Sequence, residues 1–214
     1  MDIEFYGGNC LKLKTKEITI VVDDNLKSAG GKMQTAKDNV LVYTQASLIG
    51  EAPSEKARII IDTAGEYEVG DVTVTGVQTR SHMDEKGEES ATVYQFTVGA
   101  QTVSVLGHVH PDLSDQVEEL IGGTDVLILP VGGNGYTLDP TGASSVIKKS
   151  EPDVVIPTYY ETDGLSFEVP PMPLEEFLKV SSMTPEEPVD SFKLGKTTEG
   201  DASQTKLVVL SVKG

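Results

Sequence analysis

The sequence predicts an α+β protein in which two β-sheets pack face to face with helices outside. Three observations predict it. Strands dominate the first half, and strand and helix alternate in the second. Each half carries apolar strands with no partner of their own, so neither forms a closed core alone. No linker, fixed-period repeat or low-complexity tract divides the 214 residues, which are therefore expected to form one domain, 1–214.

Taken in order, Ile3 to Tyr6, Cys10 to Lys14 and Glu17 to Val22 read as three successive strands, turning at Gly7-Gly8-Asn9 and Thr15-Lys16. The third becomes fully apolar and ends in Asp23-Asp24, which delivers carboxylates to a sheet edge. Asn25 to Lys37 is polar and reads as a loop with a short helix. Asn39 to Thr44 is a strand, and Gln45 to Lys56 carries turn chemistry in Gly50 and Pro53. Arg58 to Asp62 is a buried strand, and Glu66 to Val69 with Val72 to Val77 alternate as a hairpin about Gly70-Asp71. Arg80 to Ser90 is a charged loop. Thr92 to Val98 and Gln101 to Leu106 form a hairpin across Gly99-Ala100.

Beyond that point helices enter. Leu113 to Ile121 has amphipathic spacing with Ser114 as its cap, and Asp139 to Lys149 has Asp139 as cap and Pro140 in its first turn. Asp125 to Val131 and Asp153 to Pro157 are buried strands, the first ending in Gly132-Gly133-Asn134-Gly135. Leu165 to Pro173 is proline-rich and irregular, and Leu174 to Val180 is a helix. Pro185 to Pro188 and Thr197 to Gln204 are exposed loops, and Lys206 to Val212 closes a sheet.

Composition narrows the function. Asp and Glu number 34 against 17 Lys and Arg, a net charge of -17. Such a field repels phosphate backbones and anionic bilayers unless a local basic patch overrides it. No basic patch is visible: Lys12, Lys14 and Lys16 alternate as a solvated face. Neither nucleic acid nor membrane is therefore expected as a partner. Cys10, the one cysteine, reads as a buried structural thiol. The N-terminus has no signal-peptide pattern and no run is long enough to span a bilayer, so a cytoplasmic location is expected.

Candidate chemistry centres on Val103 to Asp112, an apolar strand that breaks at Gly107 into His108-Val109-His110-Pro111. In extended backbone His108 and His110 share a face and suit one ion, although a metal needs three or four ligands. Other apolar strands end in polar groups at Asp23, at 44–48, at His82 with Asp84, and at Tyr159. Tyr159 and Tyr160 suit either hydrogen bonding to a ligand or simple packing. Gly132 to Gly135 suits an anion cradle or a tight turn. Ser47 lacks the glycine-flanked elbow of a nucleophilic serine.

The order of these phrases resembles the metallo-β-lactamase superfamily, in its branch of small hydrolases similar to ascorbate-6-phosphate lactonase. The likeness rests on Gly7-Gly8-Asn9-Cys10, Val21-Val22-Asp23, Gly65 to Val69, His82 to Gly87, Leu106 to Pro111 followed by Leu113-Ser114-Asp115, Leu129 to Gly133, and Val155 to Tyr160. It covers about residues 1 to 182 and implies a four-layer αββα sandwich with a dinuclear metal site at one rim.

The departures fall on that site. Where the family has its His-x-His-x-Asp-His cluster, this chain has Thr44-Gln45-Ala46-Ser47-Leu48-Ile49. The bridging aspartate position holds His108, the last histidine position Tyr159, and the early histidine position Gly8. Only the His82 position keeps a good ligand, and the supporting Asp23 survives. The expectation is a pseudoenzyme: a degenerate site without cofactor, whose rim residues Tyr159, Asp23 and Asp84 bind a small molecule or a protein. The alternative is a metal-dependent hydrolase with a relocated site, in which His82, His108 and His110 hold one zinc or other divalent ion.

Overall fold

The computed structural model describes residues 1–49, 57–195 and 205–213. Gly50, Pro53 and the loop expected over Thr197 to Gln204 lie outside them. The first sheet comprises β1 (Asp2–Gly7), β2 (Cys10–Lys14), β3 (Thr19–Val22), β4 (Val40–Val42), β5 (Ile59–Ile61) and, from late in the chain, β12 (Phe192–Lys193). Its order is β12-β1-β2-β3-β4-β5. The second contains β6 (Gly65–Val69), β7 (Val72–Thr79), β8 (Ala91–Val98), β9 (Gln101–Val105), β10 (Val126–Pro130), β11 (Val154–Thr158) and β13 (Lys206–Leu207). Its order is β13-β11-β10-β9-β8-β7-β6.

Alternation sets the inner face of the first sheet. Ile3, Phe5, Leu11, Leu13, Ile20 and Val22 point inward and are fully buried in the main core. They meet Val74, Val93, Phe96 and Val105 of the second sheet in the same cluster. β10 is buried at all five positions, because a parallel strand flanked by β9 and β11 has the other sheet on one face and helices on the other.

The helices are α1 (Asp115–Ile121), α2 (Pro140–Ser150) and α3 (Leu174–Ser181). Ser114 caps α1 by accepting the Val117 amide at 3.4 Å, and Asp139 caps α2 by accepting the Gly142 amide at 2.7 Å, with Pro140 in the first turn. α1 packs on β7 and β8 and α2 on β10, so both cover the second sheet, and α3 packs on α2. The outer layer of the first sheet is thinner. Among the described residues it consists of two 3-10 turns, Leu26–Ala29 and Ala46–Leu48, with loops. Beneath it Tyr6, Cys10, Val21, Leu26, Leu41 and Tyr43 form a second apolar cluster. Cys10 is buried there as expected, and burial, with the carboxylates of Asp24 and Asp23, pushes its thiol up.

The end of the chain departs from the single closing strand read from Lys206 to Val212. After β13 the chain leaves the second sheet and crosses to the first, where Val212 bridges Phe5 and the Lys213 amide donates to the Phe5 carbonyl at 2.9 Å. The lysines of β2 also differ from a plain solvated face. Lys12 lies 4.7 Å over the Tyr6 ring, and Lys14 pairs with Glu4. Glu4 is buried between Lys14 and Lys213, and also accepts the Tyr6 hydroxyl at 2.7 Å. One carboxylate thus ties the two ends of the chain together.

Burial alone would raise the Glu4 carboxyl, but hydrogen bonds from Lys14, Lys213 and Tyr6 outweigh it and bring it down to about 2. The unfolded group titrates near 4.5. The stabilisation is therefore complete above about pH 4.5 and is lost as pH falls toward about 2. Glu4→Gln is expected to lower the urea midpoint at neutral pH, with the gap from wild type closing across that window. A gap that stays constant with pH would remove the ionic account.

Candidate functional site

The rim is formed where β3, β4, β9, β10 and β11 end. Asp23 follows β3 with a left-handed backbone, φ 46°, and is fully buried. Its two carboxyl oxygens accept the Thr44 amide at 2.7 Å and the Thr44 hydroxyl at 2.6 Å. Desolvation pushes its pKa up to about 7 against the opposing pull of those bonds. The next contact depends on a glycine. A Cβ on Gly107 would lie 1.8 Å from the Thr44 hydroxyl, so only glycine lets the loop after β9 approach this closely. Thr137 holds the same loop by donating to the Gly107 carbonyl at 3.0 Å.

The extended geometry read for His108 and His110 is interrupted at this point. The Val109 amide donates to the Gly107 carbonyl at 2.9 Å, a three-residue turn centred on His108. The turn sends the two imidazoles to different neighbours. His108 is buried, with its ring 4.5 Å from Tyr136 and 5.1 Å, edge-on, from Tyr159. Burial holds its pKa down at about 4, so it is neutral at pH 7, and its Nδ1 has no hydrogen-bond partner.

His110 instead stacks at 5.7 Å from His82. Its Nδ1 accepts the Asp112 amide at 3.1 Å, which places the proton of the neutral ring on Nε2. That nitrogen meets Arg80 Nη1 at 3.4 Å, donor against donor. Burial, Arg80 and His82 all keep the imidazolium of His110 unfavourable. His82 is half-buried, donates its amide to the His108 carbonyl at 3.0 Å, and leaves its own Nδ1 unpartnered.

Asp84 closes its own loop. It accepts the Ser81 amide at 2.7 Å, the Ser90 amide at 2.8 Å and the Ser90 hydroxyl at 2.6 Å. Burial works to raise its carboxyl, but these bonds and the charge of Arg80 keep it below the usual range. Tyr159 has a left-handed backbone, φ 48°, donates its amide to the Gly8 carbonyl at 2.8 Å, and reaches the Val169 carbonyl with its hydroxyl at 3.4 Å. The structure therefore brings His82 to His110 and His108 to Tyr159, and leaves Asp23 and Asp84 each engaged with its own loop. Among the described residues no group of three or more His, Cys, Asp or Glu side chains is placed to hold a metal ion.

Two residues of the rim escaped the sequence reading. Tyr136 follows the Gly132 to Gly135 turn and packs on both His108 and Tyr159. Phe167, from the irregular segment, lies 5.2 Å from Tyr159 and so close over Gly8 that a Cβ there would come within 2.9 Å of its ring. Tyr136, His108, Tyr159 and Phe167 make a continuous column of rings. The available signal was an aromatic residue set in each of two otherwise polar or proline-rich loops.

The model of the family described as the beta-lactamase superfamily domain matches residues 2–159. A UPF0173 protein of Pyrococcus abyssi is 23% identical over 187 residues, which is 77% of this chain and 85% of that protein. The crystal structure of a candidate zinc-dependent hydrolase of the metallo-β-lactamase superfamily from Thermotoga maritima superposes with a TM-score of 0.71 and 26% identity, over 98% of this chain and 97% of that one. Igni18, a metallo hydrolase from Ignicoccus hospitalis, shares the fold with a TM-score of 0.60 and 17% identity, over 85% of this chain and 90% of its own.

The Asp23 shift makes stability depend on pH. Unfolded, the carboxyl titrates near 3.8; folded, at about 7. Between those values the folded state keeps a proton that the unfolded state has released, so the Asp23 contribution to stability falls by about 1.4 kcal/mol for each pH unit of rise. Asp23→Asn keeps an acceptor for the Thr44 amide and adds a donor for its hydroxyl, without the titration. Its stability relative to wild type is expected to improve steadily from pH 4 to about pH 7, read as urea midpoints. His108 titrates in both proteins and cancels from the difference. A flat difference would exclude a buried neutral Asp23.

Proposed function

The chain belongs to the beta-lactamase superfamily domain family, and from that premise we propose that it is a single-domain binding protein on a hydrolase scaffold that has lost the family's dinuclear metal chemistry. The observation that carries this reading is the ring column. Of the rim positions that the family resemblance assigns to metal ligands, His82 and His108 hold imidazoles, the others are Thr44, Ala46, Leu48, Ile49, Gly8 and Tyr159, and Tyr136 and Phe167 pack over Tyr159 and Gly8. Two dications need several imidazoles and carboxylates to hold them and to acidify bound water. Two hydroxyls, three apolar side chains and a glycine do not fit that role. The ligand is a small molecule or a partner protein that meets the rim at the part-exposed Asp84 and reaches the buried Tyr159 and Asp23 when the loops over them open, and the setting is cytoplasmic. Among the described residues no helix is long and apolar enough to cross a membrane.

One observation favours a second reading. His82 and His108 both carry an Nδ1 without a hydrogen-bond partner, in loops joined by the His82–His108 backbone bond. A rearranged rim in which His110 gave up Asp112 would offer three imidazoles to one divalent ion, the ligand count of a catalytic zinc site.

Elemental analysis separates the two. Untagged protein prepared without chelator and challenged with zinc, manganese and iron is expected to retain no near-stoichiometric metal. Two tightly held equivalents would overturn the proposal. About one equivalent, lost in the His82→Ala, His108→Ala double variant, would establish the second reading in its place.

A further inference from the structure

At the opposite end of the sheets from the rim, where β3, β4 and β5 begin, lies a polar groove of about 300 Å³. Three cations from separate turns line it: Lys16 from the β2–β3 turn, Lys37 before β4, and Arg58 before β5. All three are exposed. Among the described residues none of them has a carboxylate within ion-pair distance, whereas Lys14, Lys149, Lys179 and Lys213 each hold one. In a chain with twice as many carboxylates as cations, three unpaired cations around one groove run against the overall field.

The walls are built rather than incidental. The Arg58 amide donates to the Asn39 carbonyl at 2.8 Å, and the Asn39 side chain accepts the Ala36 amide at 2.7 Å, so the turns carrying Lys37 and Arg58 are tied together. Thr15 organises the other wall by accepting the Glu17 and Ile18 amides and donating to Asp71. Two carboxylates also border the groove. Glu17 leans against Gly70 in the β6–β7 turn, and Asp38 sits in a left-handed turn, φ 65°. Three cations against these two carboxylates leave the lining with an excess of one positive charge, and Asp71 adjoins it through Thr15.

We propose that this groove is a binding site for a small multivalent anion of the phosphate class. The volume is at the lower end of small-molecule sites, roughly 300–1,000 Å³. The net charge of -17 disfavours a long polyanion such as nucleic acid, which would lie across acidic surface beyond the groove. A compact phosphate-bearing molecule gains the three cations against Glu17 and Asp38 alone, without lying across the acidic surface beyond the groove. The site is remote from the rim, so its test is independent of the reading proposed there.

Inorganic pyrophosphate is the probe. Titration of the full chain at low ionic strength is expected to show saturable one-to-one binding that weakens as salt is added. Reversing two charges in Lys37→Glu, Arg58→Glu is expected to weaken it by at least about tenfold, since a factor of ten is only about 1.4 kcal/mol. Both side chains are exposed and, among the described residues, hold no ion pair, so unchanged circular dichroism is expected to accompany the loss. Amide NMR of the wild type gives a second readout that needs no variant: pyrophosphate is expected to shift residues 15–19, 37–39 and 58. Absence of saturable binding, equal affinity in the charge-reversed variant, or shifts confined to other surfaces would each overturn the proposal.

Discussion

Thr44 is the joint on which the rim depends. Its amide and hydroxyl go to Asp23 at the end of β3, its carbonyl accepts the Thr92 amide of β8 at 2.8 Å, and its side chain fills the space that a Gly107 Cβ would take. One residue thereby locks two strand ends of the first sheet to a strand and a loop of the second. Each bond satisfies a polar group already inside the protein, where an unpaired partner costs about 1–3 kcal/mol. Asp23 shows how the packing constrains the chemistry. A buried carboxylate needs a cation or a proton; with Thr44 its one hydrogen-bond donor among the described residues, it shifts toward the proton.

That constraint bears on the ring column. Carboxylates clustered at a rim repel one another unless metal charge neutralises them. Here the rim around His108 is populated by a neutral imidazole, two phenols and a phenyl ring, which carry no like charges to repel one another. Gly8 belongs to the same arrangement. Its lack of a side chain is what admits Phe167, just as Gly7 and Gly31 admit Leu165 of the same segment. Gly8, Tyr159 and Phe167 fit one another in direct contact. Gly8→His would place its side chain against the Phe167 ring.

Much of the fold was legible because it follows from periodicity and end signals. The apolar run ending at Pro130 could only be a strand buried on both faces, and Ser114, Asp139 and Pro140 marked the helix starts. The family phrases around Asp23, Gly65 and Leu129 carried the layer order. What was not legible depends on tertiary contacts. β12 is two residues long and exists because β1 offers an open edge, and the chain leaves β13 because Phe5 offers a partner further on. The turn at His108 hangs on a single Gly107 bond, and spacing alone treated that stretch as extended. Tyr136 and Phe167 sit in loops, where sequence gives no register from which to place a side chain.

The same limit explains the basic groove. Read along the chain, Lys16, Lys37 and Arg58 are isolated charges, each 20 residues or so from the next, and no run of basic residues announces a patch. The parallel pairing of β3, β4 and β5 brings their starting turns side by side. A parallel sheet collects its strand starts at one end and its strand finishes at the other, so residues before the strands are sorted from residues after them. In this chain that sorting gathers the cations ahead of the strands and the Asp23–Thr44–His108 assembly behind them. The fold thus separates two chemically different surfaces by the length of a strand, and a change to either one can leave the other intact.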